Sequence, residues 1–187
     1  MGYCNLFDKE TAMIFFETPR LILRDWKDSD LEIFQQMNND PVAMEYFLKR
    51  LSFEESKLLM ERIKLELQER GYGLYAVELK KSNEFIGFTG FHYTNIDTDF
   101  APCIEISWRY TPKAWGYGYA TEAAKACIEY AKENLDFKEL YSFTFILNKR
   151  SENVMKKLEM KRAGNFQHPL VPDGHKLKEH VLYKLDL

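Results

Sequence analysis

The stretch IEISWRYTPKAWGYGYATE, residues 104–122, determines how this chain is organised. Apolar and polar side chains alternate from Ile104 to Arg109, which is the period of a β-strand. Pro112 ends the strand, because proline has no backbone N–H to donate to a sheet. After two glycines, apolar residues recur at the spacing of one helix face: Ala120, Ala123, Ala124, Cys127, Ile128 and Ala131.

The turn between this strand and this helix has the character of an anion site. A glycine-rich turn that opens into a helix leaves several backbone N–H groups unpaired, and phosphate is their usual ligand. A Walker loop is excluded, since it ends in Gly-Lys-Ser/Thr and this turn does not. A dinucleotide fingerprint is excluded as well, since it requires a third glycine where Thr121 stands.

The bulk properties are those of an ordinary soluble protein. The 187 residues suit one domain, and 45% of them are apolar and 29% charged. The net charge of -3 argues against non-specific binding of nucleic acid. No apolar run approaches the roughly 18 residues of a membrane span, and the first residues lack the basic start and apolar core of a signal peptide. We therefore expect a cytoplasmic protein with no nucleic-acid or membrane partner.

The cysteines and histidines show no ligand spacing. Cys4, Cys103 and Cys127 are odd in number, which favours reduced thiols. Cys127 belongs to the apolar helix stripe and is a poor nucleophile candidate, and Cys103 has no histidine beside it in sequence. No metal is expected, because the histidines at 168, 175 and 180 only flank a turn and strands.

Residues 1 to about 16 carry weak signals and are expected to form an N-terminal extension. Capping and turn residues divide the following segment into short elements. These are a strand at 21–24, a helix from Asp28, a short helix at 42–48, a helix from Ser52 to Gly71, and a hairpin of strands at 74–79 and 85–93. Gly87 and Gly90, inside the second hairpin strand, predict a bulge or a close backbone approach.

After the central strand, turn and helix, the pattern returns to strands. The predicted elements are a strand at 140–147, a helix capped by residues 148–151 and a final strand pair at 161–168 and 175–185. No repeat or linker is present, so one domain over residues 1–187 is expected.

One phosphate-binding pattern remains, the pyrophosphate loop of the GNAT N-acetyltransferases, which bind coenzyme A. The superfamily pattern is Gln/Arg-x-x-Gly-x-Gly/Ala, and residues 115–120 fit it except at the first position. The sequence WGYGYATEA at 115–123 resembles the RimJ/RimL-like branch of this superfamily, and so does TPRLILR at 18–24. The resemblance runs from about residue 17 to the end of the chain.

This resemblance implies an α/β GNAT fold, with a mixed, mostly antiparallel sheet whose parallel central strands splay apart. The strand before the loop carries a bulge in that fold, and its free backbone groups pair with pantetheine. Acetyl-CoA would then contact Ile106, Ser107 and Trp108 on the strand, Trp115, Gly116, Tyr117, Gly118, Tyr119, Ala120 and Thr121 in the loop, and Asn148 and Ser151 in an Asn-x-x-Ser motif. The helices at 28–71 would form one wall of the acceptor cleft, with Tyr46 and Phe47 expected in the core.

Glu105 is the candidate base. Forming an amide requires a neutral amine, and a carboxylate with a raised pKa can take the proton directly or through water. RimJ/RimL-like enzymes often carry a glutamate here, in a Glu-Ile-Gly-Tyr context similar to residues 105–108.

Two positions depart from the family pattern. Many GNAT enzymes have a tyrosine as general acid where this chain has Met155, and Ser151 is the substitute candidate. The same helix usually ends in Gly-Phe, whereas this chain has Glu159-Met160, which predicts a slightly different exit from the helix.

The expected activity is transfer of acetyl from acetyl-CoA directly to a primary amine, foremost a protein N-terminus. Small amines such as aminoglycosides or polyamines are the alternative acceptors, and Asp40 and Glu45 could attract such cations. A coenzyme A-binding sensor without turnover is the alternative of another class, favoured by Met155. The branch contains monomers and homodimers, and no sequence feature decides between them.

Overall fold

An eight-stranded sheet forms the centre of the structure, a computed structural model that describes residues 12–187. The strands are β1 (Ile14–Glu17), β2 (Leu21–Arg24), β3 (Leu74–Leu79), β4 (Glu84–Thr94), β5 (Cys103–Tyr110), β6 (Glu139–Phe145), β7 (Lys161–Gln167) and β8 (Glu179–Asp186). The helices are α1 (Leu31–Asn39), α2 (Phe53–Arg70), α3 (Tyr119–Asn134) and α4 (Lys149–Lys157). No helix in the described part of the chain combines the length and apolarity needed to cross a membrane.

The strand order is β1-β2-β3-β4-β5-β6-β8-β7, and every neighbouring pair is antiparallel except β5 and β6. Those two strands are parallel and share one registered pair, Glu105 with Tyr141. By contrast, β5 pairs with β4 along its whole length. The sheet is therefore closed on one side of β5 and opens on the other, as the family resemblance implied.

The sheet buries a separate apolar cluster on each face. The alanine-rich stripe of α3 packs with Ile106, Leu140 and Met155 in the larger cluster, which confirms the predicted helix face. The smaller cluster joins Trp26, Phe34 and Phe88 to residues of α1 and α2. The opening between β5 and β6 thus lies between two packed layers.

The glycines of β4 allow close backbone approach, as expected. A Cβ atom at Gly90 would lie 2.1 Å from the carbonyl oxygen of Gly73, and one at Gly87 would lie 2.2 Å from that of Arg109. The register between β3 and β4 also shifts beside Gly87, where Ile86 has no partner on β3. The bulge implied for β5 is not in its pairing with β4, which runs without a shift, so that expectation is wrong for this pairing.

Two other expectations also differ from the structure. Residues 14–16, assigned to the extension, form most of β1 and pair with β2, while residues 1–11, including Cys4, lie outside the described residues. Residues 42–48 form turns and not a helix. The Asp40 carboxylate accepts hydrogen bonds from the N–H groups of Val42 and Ala43, and such side-chain bonds compete with helix formation.

The end of α4 has the geometry that a glycine would give. Glu159 adopts φ 61°, its N–H donates to Lys156, and the N–H of Met160 donates to Met155. This pair of bonds is a Schellman motif, in which the apolar residues Met155 and Met160 are both buried. The predicted different exit is therefore wrong, because Glu159 takes the left-handed conformation itself.

Replacing Glu159 with glycine should stabilise the protein by about 0.5–1 kcal/mol. The left-handed conformation costs a non-glycine residue roughly 1–2 kcal/mol, and the greater freedom of glycine in the unfolded chain offsets part of that gain. Urea denaturation of Glu159→Gly measures the difference. The matched control is Lys157→Gly, at an exposed helical position, which should lose up to about 1 kcal/mol. A neutral or destabilising Glu159→Gly would show that this conformation carries no strain.

Candidate functional site

A cleft of about 920 Å³ opens where β5 and β6 separate. One wall combines β5 with the loop after it and the start of α4, and the other combines residues 43–51 with one face of α2. Side chains of β6, β8 and the turn after β7 close the remaining side. The cleft therefore passes from one face of the sheet to the other through the opening between the parallel strands.

The loop at 115–121 presents unpaired backbone donors. Gly116 and Gly118 adopt φ 84° and φ 82°, conformations that glycine reaches without steric cost, and Gly118 caps α3. Within the described part of the chain, no acceptor is recorded for the N–H groups of residues 116–121. An array of N–H groups at the N-terminus of a 16-residue helix favours a bound anion.

Side chains on both sides hold this loop in place. The indole N–H of Trp115 donates to the carbonyl oxygen of Tyr110 at 3.0 Å and ties the loop to the end of β5. Glu122, in the first turn of α3, accepts bonds from Thr18 and from Arg20, whose Nε lies 2.7 Å away. The Arg20 guanidinium also lies 4.6 Å from the centre of the Tyr119 ring. The Thr-x-Arg sequence before β2 therefore stabilises the glycine-rich turn before α3.

The start of α4 faces β5 across the cleft. The Asn148 side chain caps the helix by accepting from the N–H of Ser151 and donates to the Thr144 hydroxyl. The Trp108 indole donates to the Ser151 hydroxyl oxygen at 3.1 Å. Because that oxygen accepts from Trp108, the hydroxyl hydrogen of Ser151 is free to point at another acceptor in the cleft.

Glu105 lies where β5 and β6 begin to separate. Its carboxylate accepts one hydrogen bond, from the Thr94 hydroxyl at 3.0 Å, and it has no cationic partner among the described residues. Burial raises the pKa of Glu105 to about 7, and the Thr94 bond offsets part of that rise. A carboxyl group with this pKa exchanges protons readily near neutral pH.

The structure brings most of the sequence-predicted site residues together in the cleft. Its lining includes Glu105, Ser107, Trp108, Trp115, Gly116, Gly118, Tyr119, Ala120, Thr121, Asn148 and Ser151. Two of the predicted residues do not line it, since the Ile106 side chain is fully buried in the core and that of Tyr117 points to solvent. Met155 lines the cleft from within the core, at 1% exposure.

Phe47, Asp40 and Glu45 differ from expectation, whereas Cys103 agrees with it. Phe47 is 43% exposed and lines the cleft with Tyr46, so the expectation that both belong to the core is wrong for Phe47. Asp40 bonds its own turn and Glu45 pairs with Arg150, and neither lines the cleft. Cys103 is buried, which raises the pKa of its thiol to about 11 and keeps it from being a nucleophile at neutral pH.

Sequence reasoning missed three features of the cleft. Thr94 was not singled out, although it pairs across from Cys103 and reaches Glu105. Arg109 was treated only as the polar half of a strand pattern. His168 and His180 line the cleft with their rings 4.8 Å apart, and burial lowers the pKa of both, to about 4 for His180. The histidines were considered in the sequence only as metal ligands, and strand pairing, which the sequence does not show, brings these residues to one cleft. Within residues 12–187 no group of histidine, cysteine and acidic side chains could hold a metal.

Comparison with known proteins gives a consistent family. The model of the acetyltransferase (GNAT) domain matches residues 20–161. The uncharacterized protein YkkB of Bacillus subtilis is 31% identical over 147 residues, which cover 76% of this chain and 83% of that protein. The uncharacterized N-acetyltransferase YoaA of the same organism is 28% identical over 160 residues, covering 84% and 89%.

Among solved structures, the fold matches that of RimL, a ribosomal-protein α-N-acetyltransferase, in its complex with coenzyme A. The TM-score is 0.74 over 93% of this chain and 98% of that one, at 19% sequence identity. At that identity the match shows the fold. The family match covers most of the chain and includes the loop, β5, β6 and α4, so this protein belongs to the GNAT acetyltransferases.

Proposed function

We propose that the protein transfers the acetyl group of acetyl-CoA directly to a primary amine, with a protein N-terminus as the acceptor. One observation carries the proposal: the glycine loop with its unpaired N–H groups and the carboxyl group of Glu105 line the same cleft. The first arrangement suits a pyrophosphate and the second suits an amine that must lose a proton. The choice of an N-terminus rests on the RimJ/RimL-like loop sequence and on the fold shared with RimL.

The residues present fit acetyl-CoA. The N–H groups of the loop would hold the pyrophosphate, and Arg20, beside Gly118, adds a guanidinium that is 46% exposed. Beyond Glu105, the edge of β5 that faces β6 has no strand partner, so its backbone can pair with the amides of pantetheine. Asn148 and Ser151 would lie beside the thioester end. Bound in this way, acetyl-CoA supplies an activated acyl group and a thiolate leaving group.

The residues of the cleft can then carry out direct transfer. Glu105, as carboxylate, takes one proton from the acceptor ammonium, either directly or through a water molecule. The neutral amine nitrogen forms a bond to the acetyl carbon while the bond from that carbon to sulfur breaks. The electron pair of the broken bond leaves with sulfur, and the second amine proton is lost to solvent, because Glu105 already holds the first. Ser151 can donate its free hydroxyl hydrogen to the departing sulfur.

Isothermal titration tests the first half of this proposal. We expect binding of coenzyme A and acetyl-CoA to the purified protein, and no binding at millimolar ligand would refute it. Thiol release in a panel of N-terminal peptides, polyamines and aminoglycosides tests the acceptor. Turnover of small amines without turnover of any peptide would show that the acceptor is a small amine and not a protein N-terminus.

Glu105→Gln should lower kcat by on the order of 10²–10⁴-fold, the usual loss for a positioned base. Binding of acetyl-CoA should be nearly unchanged, because the loop that would hold its pyrophosphate lies beyond the far end of β5. Thiol release measures kcat and titration calorimetry measures binding. Full kcat from pH 6 to 9 in this variant would place the base elsewhere.

The pH dependence of kcat provides an independent test. Because Glu105 must be ionised, kcat should rise with pH through a pKa of about 7. Thr94→Val removes the hydrogen bond that stabilises the carboxylate, so the pKa should increase and the ascending limb should move to higher pH. Thr94→Ser keeps a hydroxyl and is the matched control. An ascending limb that does not move in Thr94→Val would mean that another group controls it.

Ser151→Ala should reduce kcat less than Glu105→Gln does. The leaving thiol has a pKa of about 8.5 and departs without full protonation, so hydrogen bonding to sulfur contributes less than removal of the amine proton. The deficit should shrink as pH rises past the thiol pKa. A pH-rate series of this variant beside wild type measures it, and a deficit constant from pH 7 to 10 would exclude Ser151 as a donor to sulfur.

A further inference from the structure

Arg109 is a charged side chain in the cleft whose charge is not balanced. It lies on β5 four residues beyond Glu105, on the same face of the strand, and lines the cleft. Its Nη1 donates to the Asn38 side chain at 2.7 Å, and its Nε is buried without a partner. No carboxylate among the described residues pairs with it, and burial lowers its pKa to about 10, so it stays charged at neutral pH.

Arg24 is a buried arginine with a structural role, and its partners provide a comparison for Arg109. Its guanidinium contacts Asp30 through two nitrogens at 2.8 Å and Glu78 at 2.7 Å. Although burial lowers the pKa of Arg24, the hydrogen bonds and charges of those two carboxylates raise it overall. A buried charge is costly unless it is paired. Arg24 meets that condition within the chain, whereas Arg109, which is partly exposed at the cleft, has no carboxylate partner among the described residues.

Aromatic rings hold the Arg109 guanidinium in one orientation. Its centre lies 4.2 Å from the centre of the Phe47 ring and 5.5 Å from that of Phe88. Rings that cover the faces of a guanidinium leave the N–H groups at its edge, which is the side that binds carboxylate or phosphate with paired hydrogen bonds. Phe47 is itself 43% exposed at the cleft, so a ligand in the cleft can approach the guanidinium beside this ring.

The other charges of the cleft lining favour an anion as well. Arg62 and Lys157 line it with no ion pair among the described residues. The carboxylates of the lining are Glu66, which contacts His92, and Glu105. A polycationic acceptor would meet this excess of positive charge, and an acceptor with a negative group would be attracted by it.

We propose that the acceptor carries a carboxylate or phosphate group in addition to its amine, and that Arg109 binds this group while Glu105 faces the amine. The inference rests on the proposed acetyl transfer. Four residues along a strand span about 13 Å, so the two groups of the acceptor are well separated. In an N-terminal peptide, the anion would be an acidic side chain among the second to fourth residues. In a small acceptor, it would be a carboxylate at the far end of a chain.

The test uses matched acceptors that differ only in this charge. Amidated tetrapeptides with a free N-terminus carry glutamate or glutamine at the second, third or fourth position, and 6-aminohexanoate is compared with its amide. We measure kcat/KM from thiol release, and Kd for enzyme saturated with coenzyme A. Wild type should prefer the glutamate peptide at least tenfold at one position.

Two variants assign this preference to Arg109. Arg109→Met keeps an unbranched apolar stem against Phe47 and Phe88 and should abolish the preference. Its melting temperature should stay close to that of wild type, because removal of an unpaired charge offsets the loss of the hydrogen bond to the buried Asn38 side chain. Arg62→Gln is the matched control and should keep most of the preference. A variant Arg109→Met that melts lower and loses all acceptors equally would show a structural role and overturn the proposal.

The outcomes separate this proposal from the proposed function. Equal kcat/KM and equal Kd within every matched pair would overturn the role of Arg109 and leave acetyl transfer standing. A preference in binding that depends on Arg109, without thiol release from any acceptor, would support the anion site and refute the transfer. A preference limited to 6-aminohexanoate would support the anion site and exclude the N-terminus as acceptor.

Discussion

The separation of β5 from β6 is the constraint on which the site depends. The two strands pair at Glu105 and Tyr141 and diverge beyond that point, while β4 holds β5 along its full length. The divergence leaves one edge of β5 without a strand partner and lets the cleft pass between the layers on the two faces of the sheet. It also places Glu105 at the narrow end, where burial raises its pKa. One gap in strand pairing therefore creates both the strand edge that we propose for pantetheine and the buried environment of the proposed base, Glu105.

Features encoded by neighbouring residues were predictable from sequence. The loop glycines, the capping box between Ser52 and Glu55, and the apolar stripe of α3 each depend on a few positions along the chain, and each is present in the structure. The prediction of a helix at 42–48 was wrong, because the Asp40 side chain accepts hydrogen bonds from the N–H groups that would have begun it. The strand β1 was not predicted, because its own sequence has little strand pattern and its pairing with β2 determines its structure.

The candidate site was predictable in its residues and less so in its electrostatics. Glu105 could be selected from its position on the central strand, but the hydrogen bond from Thr94 depends on the register of β4 against β5. The net charge of the whole chain is -3, and Asp40 and Glu45 were expected to attract cations. The acidic residues expected to attract them are engaged elsewhere, and the cleft lining is rich in arginine and lysine. The charge of a whole chain therefore does not give the charge of its cleft, because ion pairing removes charges selectively.

The absence of the family tyrosine at position 155 is consistent with a reaction in which the proposed base, Glu105, matters more than a general acid. Met155 lies on the buried face of α4. A tyrosine at this position would need space in a packed core and a hydrogen-bond partner for its hydroxyl. Ser151, one turn earlier on the same helix, already has its oxygen occupied by Trp108 and keeps its hydrogen available. A thiolate is a competent leaving group near its own pKa, whereas an ammonium group cannot attack at all until it loses a proton. In the proposed reaction an acid therefore contributes less than the base does, and proton removal by Glu105 is the more demanding step.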